Sequence, residues 1–112
     1  MRIFLSILVL ACSFGFTYIY PALAETSNGA KIFNANCTSC HIGGGNILIS
    51  EKTLKKQALS KYLENYDVDS QAAIIHQVQN GKNAMPAFKD KLTEAEIAEV
   101  AAYVFQQAEQ GW

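Results

Sequence analysis

A pair of cysteines followed by a histidine is the part of this chain best suited to chemistry. Two residues separate Cys37 from Cys40, and His41 follows at once. Two thiols at this spacing lie on one turn of a helix, where each can add to a vinyl group of haem. The adjacent imidazole is then held beneath the iron as an axial ligand. The spacing therefore predicts one haem c, attached through both cysteines and bound at its iron by His41.

Met85 is the candidate for the second axial ligand. It lies in a segment between two predicted helices, directly before Pro86. A thioether sulfur is a soft ligand, and opposite histidine it favours ferrous iron and raises the reduction potential. Pro86 cannot continue a helix, so it stiffens the segment that presents the sulfur. We therefore predict that His41 and Met85 are the two axial ligands of the iron.

Other uses of these residues are less favoured by their spacing and their surroundings. His76 could be the sixth ligand and give a haem of lower potential, but it lies within a predicted helix whose apolar residues Ile75 and Val78 are expected to face inward. A zinc site using both cysteines and both histidines would require the adjacent Cys40 and His41 to converge on one metal, against the usual spacings. A dithiol redox pair belongs to a βαβ setting, and the sequence has no alternating strand pattern.

Residues 1–24 have the features of a secretory signal peptide. Arg2 precedes a short apolar run, and the segment ends in Ala22-Leu23-Ala24, which suits cleavage after Ala24. The mature domain is then residues 25–112. A membrane anchor is the main alternative, because the apolar run approaches the roughly 20 residues that span a bilayer; lipidation at Cys12 is another. Export agrees with covalent haem attachment, which takes place on the far side of an energy-transducing membrane.

Composition limits the kinds of partner. The chain has 9 Lys and Arg against 10 Asp and Glu, a formal net charge of −1. Loss of Arg2 with the leader makes the mature chain more negative, and the two haem propionates add further negative charge. A nucleic-acid-binding surface is therefore not expected. The two motif cysteines are the only ones after residue 24, so a domain of this small size depends on the haem rather than on a disulfide for its core.

Apolar residues recur with helical spacing through the mature chain, which predicts an all-α domain of about four helices wrapped around one haem. The first predicted helix runs from a cap at Thr26 or Ser27 to about Cys40, and the second from Lys52 to Leu63 with a cap at Thr53. The third runs from a cap at Asp67 or Asp69 to Asn80-Gly81. The last helix begins with a capping box that spans Thr93 to Glu96. The last helix presents one apolar face, made of Ile97, Val100, Ala101, Val104 and Ala108.

Several segments together resemble the cytochrome c6 family, also called cytochrome c-553, of cyanobacteria and algae. The segments are Lys52 to Lys56, Gln77 to Phe88 and Gly111-Trp112. The resemblance implies a class I cytochrome c fold, with Cys37 and Cys40 attaching the haem and His41 and Met85 as axial ligands. It also implies a monomeric electron carrier from the cytochrome b6f complex to photosystem I in the thylakoid lumen of a plastid or a cyanobacterium.

The resemblance also covers residues around the haem, and the chain departs from the family pattern in two segments, one of them Ile47 to Ser50, which lacks the family's methionine-proline pair. Gly29, Phe33 and Tyr103 match the family's crossing of its first and last helices. Gln77 matches a glutamine whose amide lies near the haem. Where most members have Gly-Gly-Arg or a close variant after Met-Pro-Ala-Phe, this chain has Lys89-Asp90-Lys91. We expect Lys91 to keep the charge of the family's docking arginine but to lose its planar fork.

Three functions are compatible with a haem held in this way: photosynthetic electron carriage, delivery of electrons to a terminal oxidase, and a haem enzyme or gas sensor. An enzyme or sensor requires an open or displaceable iron position, and Met85 is expected to fill it. The chain also offers no recognisable general base. We therefore predict a carrier that is not an enzyme, and that is not an integral membrane protein after cleavage.

Overall fold

The computed structural model describes the backbone of residues 21–112 and the side chains from residue 27 onward. Residues 1–20, with most of the predicted signal peptide and Cys12, lie outside the described residues. The described chain forms α1 (Pro21–Asn36), α2 (Thr38–His41), a 3₁₀ turn (Ile42–Gly44), α3 (Lys56–Tyr62), α4 (Ser70–Asn80) and α5 (Glu94–Gln110). Within residues 21–112 strand pairing is limited to a single bridge, between Lys82 and Met85. The predicted all-α fold is confirmed, with α2 and the 3₁₀ turn as short additions to four longer helices.

The packing of α1 against α5 organises the domain. Gly29 allows the two helices to approach closely, because a Cβ atom at this position would lie 2.2 Å from the carbonyl oxygen of Glu99. One turn later the rings of Phe33 and Tyr103 meet with their centroids 5.4 Å apart. The helix crossing expected from these residues is therefore confirmed. Substituting Gly29 with alanine would force the helices apart, since the obstacle is backbone rather than a movable side chain.

Helix α5 begins and packs as its sequence predicts. The Thr93 hydroxyl accepts a hydrogen bond from the Glu96 amide at 3.1 Å, and the Glu96 carboxylate accepts one from the Thr93 amide at 3.0 Å. All five residues of the predicted apolar face are buried. Ile97 and Val100 are each only 1% exposed. Burying a side chain of this kind contributes roughly 1.5–3 kcal/mol to folding.

Helix α4 also has its predicted ends. The Asp69 carboxylate accepts a hydrogen bond from the Ala72 amide at 3.1 Å, and at the other end Gly81 has a φ of 65°. The Gly81 amide donates to the Gln77 carbonyl at 2.8 Å. The inward face differs slightly from the prediction, because Ile74 is buried beside Val78 whereas Ile75 is only half-buried.

The first helix differs from the prediction at both ends. It begins at Pro21, upstream of the predicted caps, because proline fits the first position of a helix, where no amide hydrogen is required. It ends at Asn36 instead of near Cys40. There the Thr38 hydroxyl donates to the carbonyl oxygen of Phe33 at 3.3 Å, and such local bonding by threonine competes with regular helix bonding. The chain then forms a separate turn.

The predicted start of the next helix at Lys52, with Thr53 as its cap, is wrong. Helix α3 begins at Lys56, and its N-cap residue Lys55 makes no capping bond through its side chain. The Thr53 hydroxyl instead accepts a hydrogen bond from the Lys55 amide at 3.3 Å, which forms a local turn before the helix. Leu59 is the buried residue of α3 that anchors it to the core.

No helix within residues 21–112 is both long enough and apolar enough to cross a bilayer.

Candidate haem site

The two cysteines lie on one turn of backbone at the junction of α1 and α2. The Cys37 amide donates to the carbonyl oxygen of Phe33 at 2.8 Å, so this residue is tied to the end of α1. The His41 amide in turn donates to the Cys37 carbonyl at 3.0 Å. Both thiols are free; Cys37 is half-buried and Cys40 is exposed. The turn therefore offers two unbonded sulfurs and an imidazole within five consecutive residues.

The environment of Cys37 differs from that of a redox-active thiol. Burial, and secondarily the neighbouring Cys40, raises the pKa of the Cys37 thiol from 9.0 to about 11. Dithiol oxidoreductases have a lowered cysteine pKa, because the thiolate is the attacking species. The described residues also lack the βαβ unit that carries such a pair. The dithiol alternative therefore finds no support in the geometry.

His41 is held in one orientation by the backbone. Its Nδ1 atom lies 2.8 Å from the carbonyl oxygen of Gly45. A carbonyl oxygen only accepts hydrogen bonds, so Nδ1 carries the ring proton and Nε2 is left with a free lone pair. This is the arrangement that orients a metal-binding histidine and raises its basicity. Sequence reasoning missed the Gly45 carbonyl, since the partner is a backbone atom whose direction depends on the turn.

A glycine-rich turn presents that carbonyl. Gly43 and Gly44 have φ values of 59° and 75°, in the left-handed region that favours glycine. The Gly45 amide donates to the Ile42 carbonyl at 3.0 Å, and the Ile47 amide donates to the Cys40 carbonyl at 3.1 Å. These bonds fold the segment after the motif back onto it, so the Gly45 carbonyl meets the His41 ring.

Met85 lies in a closed loop. Lys82 and Met85 exchange two backbone hydrogen bonds, both 3.0 Å long, and Asn83 between them has a φ of 53°. Gly81 precedes the loop, and a Cβ atom there would lie 2.4 Å from the Met85 carbonyl oxygen. The side chain of Met85 is half-buried against the core, and the Gln77 amide donates to its sulfur at 3.8 Å. The backbone of Met85 is therefore fixed by its loop, and its sulfur is contacted by the Gln77 side chain of α4.

The donor set of this region fits haem c. It contains two free thiols on one turn, an imidazole whose Nε2 atom is available, and a half-buried thioether sulfur. Several large apolar side chains after the motif are exposed in the polypeptide, with Ile42 at 67% and Leu48 at 65%. These exposed side chains are available to pack against an apolar ligand such as haem. The chain thus offers groups of the kinds that haem c uses for covalent attachment and for axial ligation of its iron.

The zinc arrangement is not formed. Among residues 21–112 no group of three or more His, Cys, Asp and Glu side chains comes together as a metal site. His76 is exposed on α4, as expected from its place in the helix. The Asn80 side chain donates to the carbonyl oxygen of His76 at 2.8 Å, and this hydrogen bond uses the backbone of His76 rather than its imidazole.

The chain is similar to known c-type cytochromes. A family model described as "Cytochrome C oxidase, cbb3-type, subunit III" matches residues 24–104. A cytochrome c6 of Parathermosynechococcus lividus is 55% identical over 89 residues, which cover 80% of this chain and 98% of that protein. A cytochrome c6 of Thermostichus vulcanus is 50% identical over 111 residues, covering 97% of this chain and 95% of the relative.

A solved structure extends the similarity to the fold. The structure of cytochrome c6 from the diatom Phaeodactylum tricornutum superposes with a TM-score of 0.75 at 53% identity, covering 78% of this chain and 98% of the other. The family model covers well over half of the chain, and the relatives at 50–55% identity narrow the family within the c-type cytochromes. This chain belongs to the cytochrome c6 family, whose members are electron carriers of photosynthesis with one covalently bound haem c, and not enzymes.

Proposed function

We propose that this protein carries single electrons from the cytochrome b6f complex to photosystem I in the thylakoid lumen. Cys37 and Cys40 attach the haem through thioether bonds, and His41 and Met85 bind its iron. The observation that carries the electron-carrier role is the donor set itself, in which His41 is hydrogen-bonded to the Gly45 carbonyl and the backbone of Met85 is fixed by its loop. The choice of partners is supported by the membership of the chain in the cytochrome c6 family.

Bound haem supplies the one-electron chemistry, in which its iron alternates between Fe(II) and Fe(III). The residues of the chain hold the two axial ligands in the same positions in both oxidation states. The Gly45 carbonyl prevents the imidazole of His41 from rotating. The turn from Lys82 to Met85 fixes the backbone of the methionine, and the Gln77 amide contacts its sulfur. A rigid pair of ligands suits a carrier, since little structural change has to accompany each transfer.

The proposal includes export and processing. Cleavage after Ala24 would release residues 25–112 into the lumen as a monomeric carrier. The relative from Parathermosynechococcus lividus supports this boundary, because its aligned 89 residues account for 98% of that protein, close to the length of the proposed mature domain. Mass spectrometry of the purified protein tests it: the mature mass should correspond to residues 25–112 plus one haem.

The proposed partner surface lies around the segment that contains Met85. Lys82, Lys89 and Lys91 are all exposed, on either side of it in the chain. Electron-transfer encounters are brief and bury little area, so a small contact with modest charge steering is expected. This arrangement allows the carrier to leave quickly after each transfer.

Delivery of electrons to a terminal oxidase is the alternative role. One observation favours it: the family model that matches residues 24–104 is described by the name of an oxidase subunit. The donor set serves both roles equally, because neither requires an open iron position. Only the identity of the acceptor distinguishes them.

Flash kinetics distinguish the two acceptors. The reduced protein is mixed with isolated photosystem I, and re-reduction of the photo-oxidised centre is followed after each flash; a parallel assay uses a membrane-bound terminal oxidase. We expect a second-order reaction with photosystem I that is faster than the reaction with the oxidase. Absence of transfer to photosystem I, together with rapid transfer to the oxidase, would assign the alternative role.

A further inference from the structure

We propose that Trp112 is a positioning residue for His41: its indole ring holds Gly44 in place and thereby keeps the Gly45 carbonyl against Nδ1 of the imidazole. The inference rests on the proposed function in one respect, that His41 binds the haem iron. Trp112 is 71 residues from His41 in the chain and acts on it only through the turn after the haem motif.

The indole lies directly against the backbone of Gly44. A Cβ atom on Gly44 would be 2.2 Å from Cγ of Trp112 and 2.3 Å from Cδ2, so the ring occupies the space that any other side chain would need. Gly44 is buried and has a φ of 75°. Glycine is therefore required here for two reasons, and the ring in turn prevents this residue from moving outward.

Two hydrogen bonds also connect Trp112 with Gly44, by way of the backbone of Leu54. Nε1 of Trp112 donates to the carbonyl oxygen of Leu54 at 2.9 Å. The Leu54 amide donates to the carbonyl oxygen of Gly44 at 2.7 Å. These contacts form a closed set. The indole ring lies against Gly44, and the Leu54 amide donates to the carbonyl oxygen of the same glycine.

The indole is itself fixed by the crossing of α1 and α5. Its ring centroid lies 5.3 Å from that of Phe33 and 6.0 Å from that of Tyr103, the latter in an edge-to-face arrangement. Trp112 therefore links the packed crossing of α1 and α5 to a turn that contains three consecutive glycines. Without such a support the turn would have the large conformational freedom that glycine allows.

The carbonyl that faces His41 belongs to the next residue after Gly44. A shift of Gly44 moves this carbonyl, and the 2.8 Å hydrogen bond to Nδ1 lengthens or breaks. Partners of this kind orient a metal-binding imidazole and tune its basicity, and their loss typically changes metal affinity or activity about 10- to 100-fold. Without the indole, we expect the Nδ1 proton of His41 to be less protected by its hydrogen bond and to exchange with solvent faster.

Proton exchange at His41 tests the inference in the reduced, haem-loaded protein. We compare Trp112→Ala and Trp112→Phe with Val100→Ala, which removes buried volume from α5 without touching the turn. NMR measures the exchange rate of the His41 Nδ1 proton with solvent. Exchange should be about fivefold faster, or more, in Trp112→Ala than in Val100→Ala, because a hydrogen bond that protects the proton is weakened or lost. Trp112→Phe keeps a ring over Gly44 but loses the bond to Leu54, so its rate should fall between them.

The reduction potential gives a second readout, which should change in the Trp112 variants and stay at the wild-type value in Val100→Ala. If both Trp112 variants exchange at the rate of Val100→Ala, the inference is overturned. If Trp112→Ala does not fold, Trp112→Phe decides against the same control. A wild-type protein whose His41 ring protons lack the strong upfield shift of an iron-bound imidazole would overturn the ligand assignment itself, and this inference with it.

Discussion

The side-chain amide of Gln77 lies 3.8 Å from the sulfur of Met85 and donates to it. Both groups are half-buried, so water competes little for either of them. An N–H group directed at a thioether withdraws electron density from the sulfur and weakens it as a donor to Fe(III). The contact is therefore placed to raise the reduction potential of a haem bound through Met85.

Gln77→Leu should lower the reduction potential. The hydrogen bond is expected to contribute about 1 kcal/mol, which corresponds to about 40 mV for a one-electron couple. Potentiometric titration measures the change. Gln71→Leu is the matched control, since Gln71 is an exposed residue of the same helix. Equal potentials in the two variants would show that the amide does not act on the sulfur.

Met85→Ala should open the sixth position of the iron. Without the soft thioether, ferrous iron is less favoured, and we expect the potential to fall by roughly 0.1 V or more. Carbon monoxide should then bind the reduced protein, which absorption spectroscopy detects. His76→Ala serves as the control and should retain the wild-type spectrum. The reverse pattern, with the spectrum lost only in His76→Ala, would mean that the sixth ligand is His76.

The ends of α4 and α5 could be predicted because the chemistry that sets them is local. Asp69 and Thr93 bond to amides three residues further on, within the helix that each begins. The end of α1 and the start of α3 could not be predicted in this way. They depend on whether the Thr38 and Thr53 hydroxyls bond to nearby backbone or cap a helix, and periodicity does not decide between these choices.

The candidate site could likewise be predicted only in its local features. The spacing of Cys37, Cys40 and His41 is a property of consecutive residues, so the motif is visible in the sequence. The contacts of Gly45 with His41, and of Trp112 with Gly44, depend on how the chain folds back on itself. Neither a backbone carbonyl nor a long-range ring contact leaves a signal in residue spacing, and both were therefore missed.

Covalent attachment can be tested by changing the cysteines singly. In Cys37→Ser and in Cys40→Ser one thioether bond should remain, so the haem should resist acid-acetone extraction while the spectrum of the pyridine complex shifts. Both variants should be less stable than the wild type, because a small domain depends on the haem for its core. Ser39→Ala, within the same motif, is the control and should leave both bonds intact. Complete extraction of haem from the wild type would contradict the attachment.

Tyr66 should make the protein sensitive to alkaline pH. The residue is 2% exposed, and within residues 21–112 its hydroxyl makes no hydrogen bond of normal geometry, because the Ser70 hydroxyl donates to the Tyr66 backbone carbonyl at 2.7 Å instead. Burial, and secondarily the Glu109 carboxylate, raises the pKa of Tyr66 above its ordinary value of 10.0. The neutral phenol is therefore the form that suits the fold. Its contribution to stability is fully present below pH 10 and is lost as the pH rises through the higher folded-state value.

Tyr66→Phe should remove this part of the alkaline destabilisation. It also deletes a buried hydroxyl without a partner, so the variant should be more stable than the wild type by about 1 kcal/mol at neutral pH. Denaturant unfolding at pH 7 and at pH 11 measures both effects. Tyr62→Phe is the control, because Tyr62 is exposed. A loss of stability at pH 7 in Tyr66→Phe would indicate that the hydroxyl has a partner in the haem-loaded protein.

Lys91 should influence the encounter with photosystem I without affecting the haem. Its ammonium group lies 5.4 Å from the ring centroid of Phe88, which holds the charge near the loop that contains Met85. Lys91→Gln should lower the second-order rate constant several-fold at low salt, and less above about 0.15 M, where the Debye length is near 8 Å. Lys31→Gln removes the same charge from an exposed position on α1 and is the matched control. Equal rate constants for the two variants across the salt series, with unchanged potentials, would remove Lys91 from the proposed partner surface.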